Sequence, residues 1–173
     1  LIDFNPSLSA HILEKTMQRD VYAQLTMQGI TLPPVATPAA AYLPFAQSGN
    51  LIFLSGHIAK KDGKVWTGKL GATMQTEEAH AAARAVAIDL LGTLDAACKA
   101  TGTDLNGVKR IVKLMSLVNS TDSYTDQHLV TNGASELVGA IFGSAIGGHA
   151  RSAFGVAQLP LGACVEIEMI AQI

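Results

Sequence analysis

An α+β domain with a mixed β-sheet is the fold class this sequence predicts, and three observations carry it. Two long apolar segments of helical period, residues 76–101 and 125–142, are separated by one Val/Ile-rich run at 108–118. The remaining strand-like runs lie ahead of the first helix and after the second, so the order reads β-β-β-α-β-α-β-β. Two main helices cover only one face of such a sheet, and the other face calls for cover from a partner subunit.

Residues 1–37 read as an N-terminal helical extension and Pro-rich linker. Ser9 can cap a helix whose apolar positions Ile12, Leu13, Met17, Val21 and Leu25 recur at helical spacing and stop at Gly29. The chain begins at Leu1, which makes Met17 a candidate natural start. Leu32-Pro33-Pro34-Val35-Ala36-Thr37-Pro38 suits neither a helix nor a central strand, and the domain proper is expected over 38–173.

That domain opens with a hairpin. Ala41 to Ala46 and Leu51 to Leu54 are the strands, Gly49-Asn50 marks the turn, and Pro44 confines the first strand to an edge. Ser55-Gly56 ends the second run. A turn at Lys61-Asp62-Gly63-Lys64 leads to a short strand around Val65-Trp66. Thr76 is the expected cap of the first main helix, Glu77 and Glu78 suit its first turn, and Gly102 ends it. Ala83, Ala87, Leu90, Leu91, Leu94, Ala97 and Cys98 form its apolar stripe. The 108–118 strand places Lys109 and Lys113 on one face. After the second helix, Gly143 to Gly148 reads as a loop, and two final strands flank Pro160.

Composition narrows the partners. Of 173 residues, 49% are hydrophobic and 15% charged, an apolar balance that favours burial in a symmetric oligomer. A net charge of −2 and a pI near 6.2 supply no basic field for nucleic acid. Cys98 and Cys164 are far apart and in no paired-ligand spacing, which suits two buried thiols in a reducing compartment. No charge-free run of 18 apolar residues and no basic leader is visible, so a cytoplasmic protein with no membrane association is expected.

The chemistry concentrates near the C-terminal end. His149-Ala150-Arg151-Ser152-Ala153 and Val165-Glu166-Ile167-Glu168 place one arginine and an acidic pair in apolar, strand-like sequence. Arginine is costly to bury unless it meets an anion, and its planar fork matches a carboxylate bidentately. A small carboxylate-bearing ligand and a structural Arg–Glu pair between strands both fit this pattern. Glu166 and Glu168 share a strand face, and either could orient water or move a proton while the other meets solvent or a salt bridge.

Other motifs fail. The glycines at 143, 147 and 148 lack the Lys-Ser/Thr of a phosphate loop. Ser55 and Ser152 lack a nucleophile elbow. Histidines 11, 57, 80, 128 and 149 show no metal-ligand spacing, so no metal site is expected. His57 and His149 adjoin the segments of interest, as ligand contacts or as structural hydrogen-bonders.

Together these pieces resemble the Rid/YjgF family of imine and enamine deaminases, also known as L-PSP endoribonucleases, over about residues 38–173. Tyr42 stands thirteen residues before Ser55-Gly56, as the family's tyrosine precedes its serine-glycine strand end. Asn132 falls near a family asparagine, with a few extra residues before Arg151. Ala150-Arg151-Ser152 matches the family's alanine-arginine-serine motif, and Glu166 follows Arg151 by fifteen residues, as the family's catalytic glutamate follows its arginine.

The resemblance implies a chorismate-mutase-like fold, a homotrimer with sites at its subunit interfaces, and hydrolysis of 2-imino acids to 2-oxoacids and ammonia without a cofactor. It implies that Arg151 binds the substrate carboxylate and Glu166 orients or activates water. Tyr42, Ser55, Gly56 and Asn132 would line the pocket, with backbone near Ala153 helping to place water and imine. Three features depart from the pattern: Ala153 replaces a usual cysteine, His57 replaces a common glutamine, and the N-terminal extension belongs to a longer branch. Crossing a subunit boundary, that extension could narrow the pocket. A hairpin turning near Pro160-Leu161 would leave Arg151 and Glu166 not directly opposite, which a bulge or an intersubunit site would reconcile.

Two rivals to the deaminase reading are kept. A non-catalytic 2-oxoacid-binding protein would need Arg151 yet lose no rate on Glu166→Ala. A ribonuclease or translation inhibitor meets the acidic pI and an aromatic content of only 5%.

Overall fold

The computed structural model describes residues 19–35 and 41–173. Ser9 and most of the helix read after it lie outside these residues. The expected helix does not run unbroken to Gly29: Asp20 is extended and starts a separate helix, α1, Val21–Met27, which it caps by accepting from the Tyr22 and Ala23 amides. Gly29, at φ +65°, turns the chain out of this helix. Val21 and Leu25 are buried in the same core as the main helices. Tyr22 donates to Asp95 at 2.5 Å, and burial with this carboxylate pushes the phenol up to about 12. The segment thus lies on the helical layer, away from the open face of the sheet.

Strands β1, Phe45–Ser48, and β2, Leu51–Ile58, form the expected hairpin around Gly49-Asn50, with Ser48 opposite Leu51, but the first strand begins at Phe45 and not at Ala41, because Pro44 cannot donate to the ladder. β1 lies at the sheet edge, as Pro44 before it demands. β2 does not stop at Ser55-Gly56. Leu54 faces Met169 and His57 faces Ile167, so Ser55 and Gly56 together oppose one residue and form a bulge. Two-residue strands β3, Lys60–Lys61, and β4, Lys64–Val65, close over Asp62-Gly63, both at positive φ.

Helix α2 spans Thr76–Ala100 and buries the whole predicted stripe. Its cap position is Gln75, one residue earlier than expected. Thr76 is already helical, and its hydroxyl meets the Tyr124 hydroxyl at 2.9 Å. β5 covers Arg110–Asn119. Val112 is an extra residue between the pairs Ile111–Ala171 and Lys113–Ile170, so the alternation slips and Lys113 does not share a face with Lys109.

Helix α3, Gln127–Gly147, is broken by Gly143 at φ +75°, ψ 169°. The expected loop at 143–148 is therefore mostly a continued helical turn. By length and apolar composition α3 would pass as a membrane span, but it is a core helix with Val130, Ala134, Val138 and Ile141 fully buried. Strands β6, Ala150–Val156, and β7, Val165–Gln172, complete a mixed sheet in the order β1-β2-β7-β5-β6. They do not form a hairpin. β5 lies between them, parallel to β6 and antiparallel to β7.

The result is a five-stranded sheet with α2 and α3 packed on one face. Val165, Ile167, Met169 and Ala171 point into that core, while Glu166, Glu168 and Ile170 alternate onto the other face. Cys98 and Cys164 are free and buried, and burial lifts each thiol to about 11.

Candidate active site

The structure sorts the predicted site residues into two groups. The first surrounds Glu166 on the open face. Glu166 lies opposite Ile58 on β2 and Leu117 on β5, at the centre of the sheet. The bulge brings the Gly56 backbone so near that a Cβ there would stand 2.1 Å from Glu166 Oε1. Only glycine leaves the carboxylate this space. Ser55 fastens the bulge to the segment that carries Tyr42, donating from its hydroxyl to the Leu43 carbonyl at 2.6 Å and from its amide to the Pro44 carbonyl at 3.1 Å. Burial, helped by the neighbouring charge of Glu168, raises the Glu166 pKa above the ordinary carboxylate value.

Gly56→Ala tests this arrangement. The clash falls on the mobile end of a side chain rather than on backbone, so stability should change by less than about 1 kcal/mol. Any turnover that uses the Glu166 carboxylate should fall at least about tenfold as that group is displaced. Paired melting and rate measurements would show the split; equal losses in both would mean that Gly56 serves only the fold.

The second group surrounds Arg151. Its position on β6 is opposite the buried Leu114, which turns its side chain toward α3. Nη1 donates to Asn132 Oδ1 at 2.8 Å and to Ser135 Oγ at 3.1 Å, and Nη2 donates to the His128 carbonyl at 3.3 Å. The guanidinium stays exposed while three acceptors on one stripe of α3 hold it. Ala153, two residues on, faces Ser116 across the β5–β6 pair.

Ser135 and the His128 carbonyl escaped sequence reasoning, although positions 128, 132 and 135 fall on one helix face at the i, i+4, i+7 spacing. The His149 ring meets other partners than the guanidinium: Nε2 lies 3.0 Å from Ser135 Oγ and Nδ1 2.6 Å from the Gly147 carbonyl. His57 turns toward α2, where Nε2 meets Thr93 Oγ1 at 3.2 Å. Burial holds its pKa below the usual imidazole value, with Asp89 opposing the shift and Lys60 adding to it.

The chain does not bring Arg151 and Glu166 together. They occupy strands on either side of β5, at the levels of Leu114 and Leu117, and they face opposite sides of the sheet. Two strand spacings and three residues of rise put their backbones about 14 Å apart. Around Glu166 the open face carries Phe53, Met115, Leu117, Phe154 and Ile170, with Phe53 40% and Phe154 41% exposed. A cavity of about 230 Å³ lies on this face, lined by Phe53, Lys113, Met115, Glu168 and Ile170 among others. Among the described residues, no cluster of three or more His, Cys, Asp or Glu side chains could hold a metal ion.

A mixed five-stranded sheet in the order β1-β2-β7-β5-β6 with two main helices on one face is the architecture of a YjgF/chorismate-mutase-like protein. Residues 22–173 match the family described as "YjgF/chorismate mutase-like, putative endoribonuclease", and the chain belongs to this Rid family. It is 45% identical over 154 residues to Protein TCP17 of Trypanosoma cruzi, covering 88% of this chain and 94% of that protein. The crystal structure of Atu1372 from Agrobacterium tumefaciens, a protein of unknown function, is 38% identical with a TM-score of 0.79, over 92% of this chain and 97% of that one. A Shewanella oneidensis MR-1 structure that shares the endoribonuclease description is 28% identical with a TM-score of 0.83, over 90% of this chain and all (100%) of that one.

Proposed function

We propose that the protein is a hydrolytic deaminase of reactive 2-imino and enamine acids, acting as a homotrimer whose sites lie between subunits. One observation carries this reading. Arg151 and Glu166 are each set in a locally complete group, but on opposite faces of one chain's sheet. A neighbouring copy laid on the open apolar face would cover it and could supply the complementary group. The family's chemistry supports the same assignment.

In this mechanism the free N–H groups of Arg151 bind the substrate carboxylate, and Asn132 holds the guanidinium in place. The imine enters protonated at nitrogen from solvent, and water adds to its C=N carbon as Glu166 accepts one of the water's protons. The tetrahedral carbinolamine then collapses: Glu166 returns its proton to the amine nitrogen, the C–N bond breaks and ammonia leaves, and the hydroxyl releases its proton to solvent as the 2-oxoacid C=O forms. An enamine enters after protonation at carbon gives its imine. No electron transfer is involved, so positioning and electrostatics suffice.

The assay is 2-oxoacid release from imines generated in situ by an amino-acid oxidase. The native protein should accelerate release, and Arg151→Ala should lose about 100-fold in kcat/KM, the worth of a charge-assisted fork. Equal release with and without protein across a broad amino-acid panel would defeat the deaminase reading. Saturable 2-oxoacid binding without turnover would then identify a metabolite-binding protein. The ribonuclease reading suits the pI near 6.2 poorly, and it would require RNA affinity that falls steeply with salt.

A further inference from the structure

We infer that Ser135 and His149 are positioning residues for Arg151, linked in a one-way hydrogen-bond relay that ends on the Gly147 carbonyl and leaves only the side edge of the guanidinium for a ligand. The inference rests on the reading of Arg151 as the carboxylate anchor. It concerns residues that no part of that reading uses.

The direction of each link follows from the one before it. The Gly147 carbonyl can only accept, so His149 Nδ1, at 2.6 Å, carries a hydrogen. In the neutral ring Nε2 is then bare, and the Ser135 hydroxyl 3.0 Å away donates to it. With its hydrogen committed, Ser135 Oγ presents lone pairs to Arg151 Nη1 at 3.1 Å. The chain runs Arg151 to Ser135 to His149 to Gly147. Its far end is closely packed: a Cβ on Gly147 would stand 2.7 Å from the Val138 carbonyl, so the last turn of α3, beyond the break at Gly143, lies against the body of the same helix.

Counting donors gives the functional consequence. Arginine has five N–H groups. Asn132 and Ser135 take both hydrogens of Nη1, and the His128 carbonyl takes one of Nη2. An end-on carboxylate grip needs an Nη1 hydrogen, and none is left. Nε–H and the second Nη2–H remain, the pair that holds a carboxylate side-on. The relay therefore does more than close a turn: it selects which edge of Arg151 meets the ligand.

The test combines a signature that needs no turnover with a kinetic one. Side-chain ¹⁵N NMR of the full chain should show His149 as the Nδ1–H tautomer and Arg151 N–H groups in hindered rotation. Ser135→Ala and His149→Leu should free the guanidinium. His149→Gln, whose amide can accept from Ser135 and donate to a carbonyl, should restore it. In the imine assay, Ser135→Ala and His149→Leu should each raise KM about tenfold with kcat held, and the double variant should be no worse than the poorer single one. Unchanged Arg151 signals in a folded His149→Leu, or additive losses in the double variant, would overturn the relay. A native protein inert toward imines but showing the full NMR pattern would support the relay while defeating the deaminase reading.

Discussion

Gly133→Ala is expected to destabilise the protein by about 3 kcal/mol or more, among the largest losses available to a single methyl group. Gly133 lies where α3 crosses α2. A Cβ there would stand 2.0 Å from the His80 carbonyl oxygen and 3.2 Å from the Arg84 amide nitrogen. Both atoms belong to helix backbone, which cannot swing aside as a side chain can, so the helices must separate and open the core between them. Gly139, on the same helix, is the control. Its Cβ would meet nothing within 4 Å. Gly139→Ala should therefore hold or gain up to about 1 kcal/mol from helix propensity. Denaturant titration of the two variants checks the contrast; comparable stabilities would mean that the helix crossing is looser than the structure shows.

Glu166→Gln is expected to lower kcat by about 10²–10⁴ while leaving KM close to native, because the amide keeps the shape but cannot take a proton. The pH dependence has a definite sign. Burial and then Glu168 raise the Glu166 pKa, so the carboxylate needed as base forms only above that raised value. With Glu166 as the proposed base, the rate should climb with pH through that value, and this acidic limb should vanish in the variant. The same shift acts on stability in the opposite sense. Below the ordinary carboxylate pKa the protonated group brings no penalty; as pH rises through the raised native value, the native state increasingly bears the cost of a buried charge. Glu166→Gln removes that cost, so at neutral pH its melting temperature should equal or exceed the native one. A variant both inactive and less stable would place Glu166 in the fold rather than the chemistry.

Local sequence carried much of the fold. Gly49-Asn50 located the first hairpin, and the stripe from Ala83 to Cys98 located α2, because turn chemistry and helical period are short-range signals. Features that depend on distant partners were less legible. Ser55-Gly56 looks like a strand end, but the pairing with β7 makes it a bulge. β6 and β7 follow one another in sequence and would pair by proximity, yet β5 inserts between them. The site divides in the same way. Arg151 and Glu166 stand out as charges in apolar strands, whereas Ser135 acquires its role only when α3 is laid across β6.

The central claim is that a working site joins Arg151 of one copy to Glu166 of another, and subunit mixing tests it most directly. Arg151→Ala and Glu166→Gln chains, each inactive alone, would be unfolded and refolded together in equal amounts and assayed for 2-oxoacid release. If the residues meet across an interface, random mixing in a cyclic trimer should restore about a quarter of native activity, since one interface in four pairs two intact groups. Mixed assemblies formed without any regain of activity would contradict the account and place both groups in a site built by a single chain.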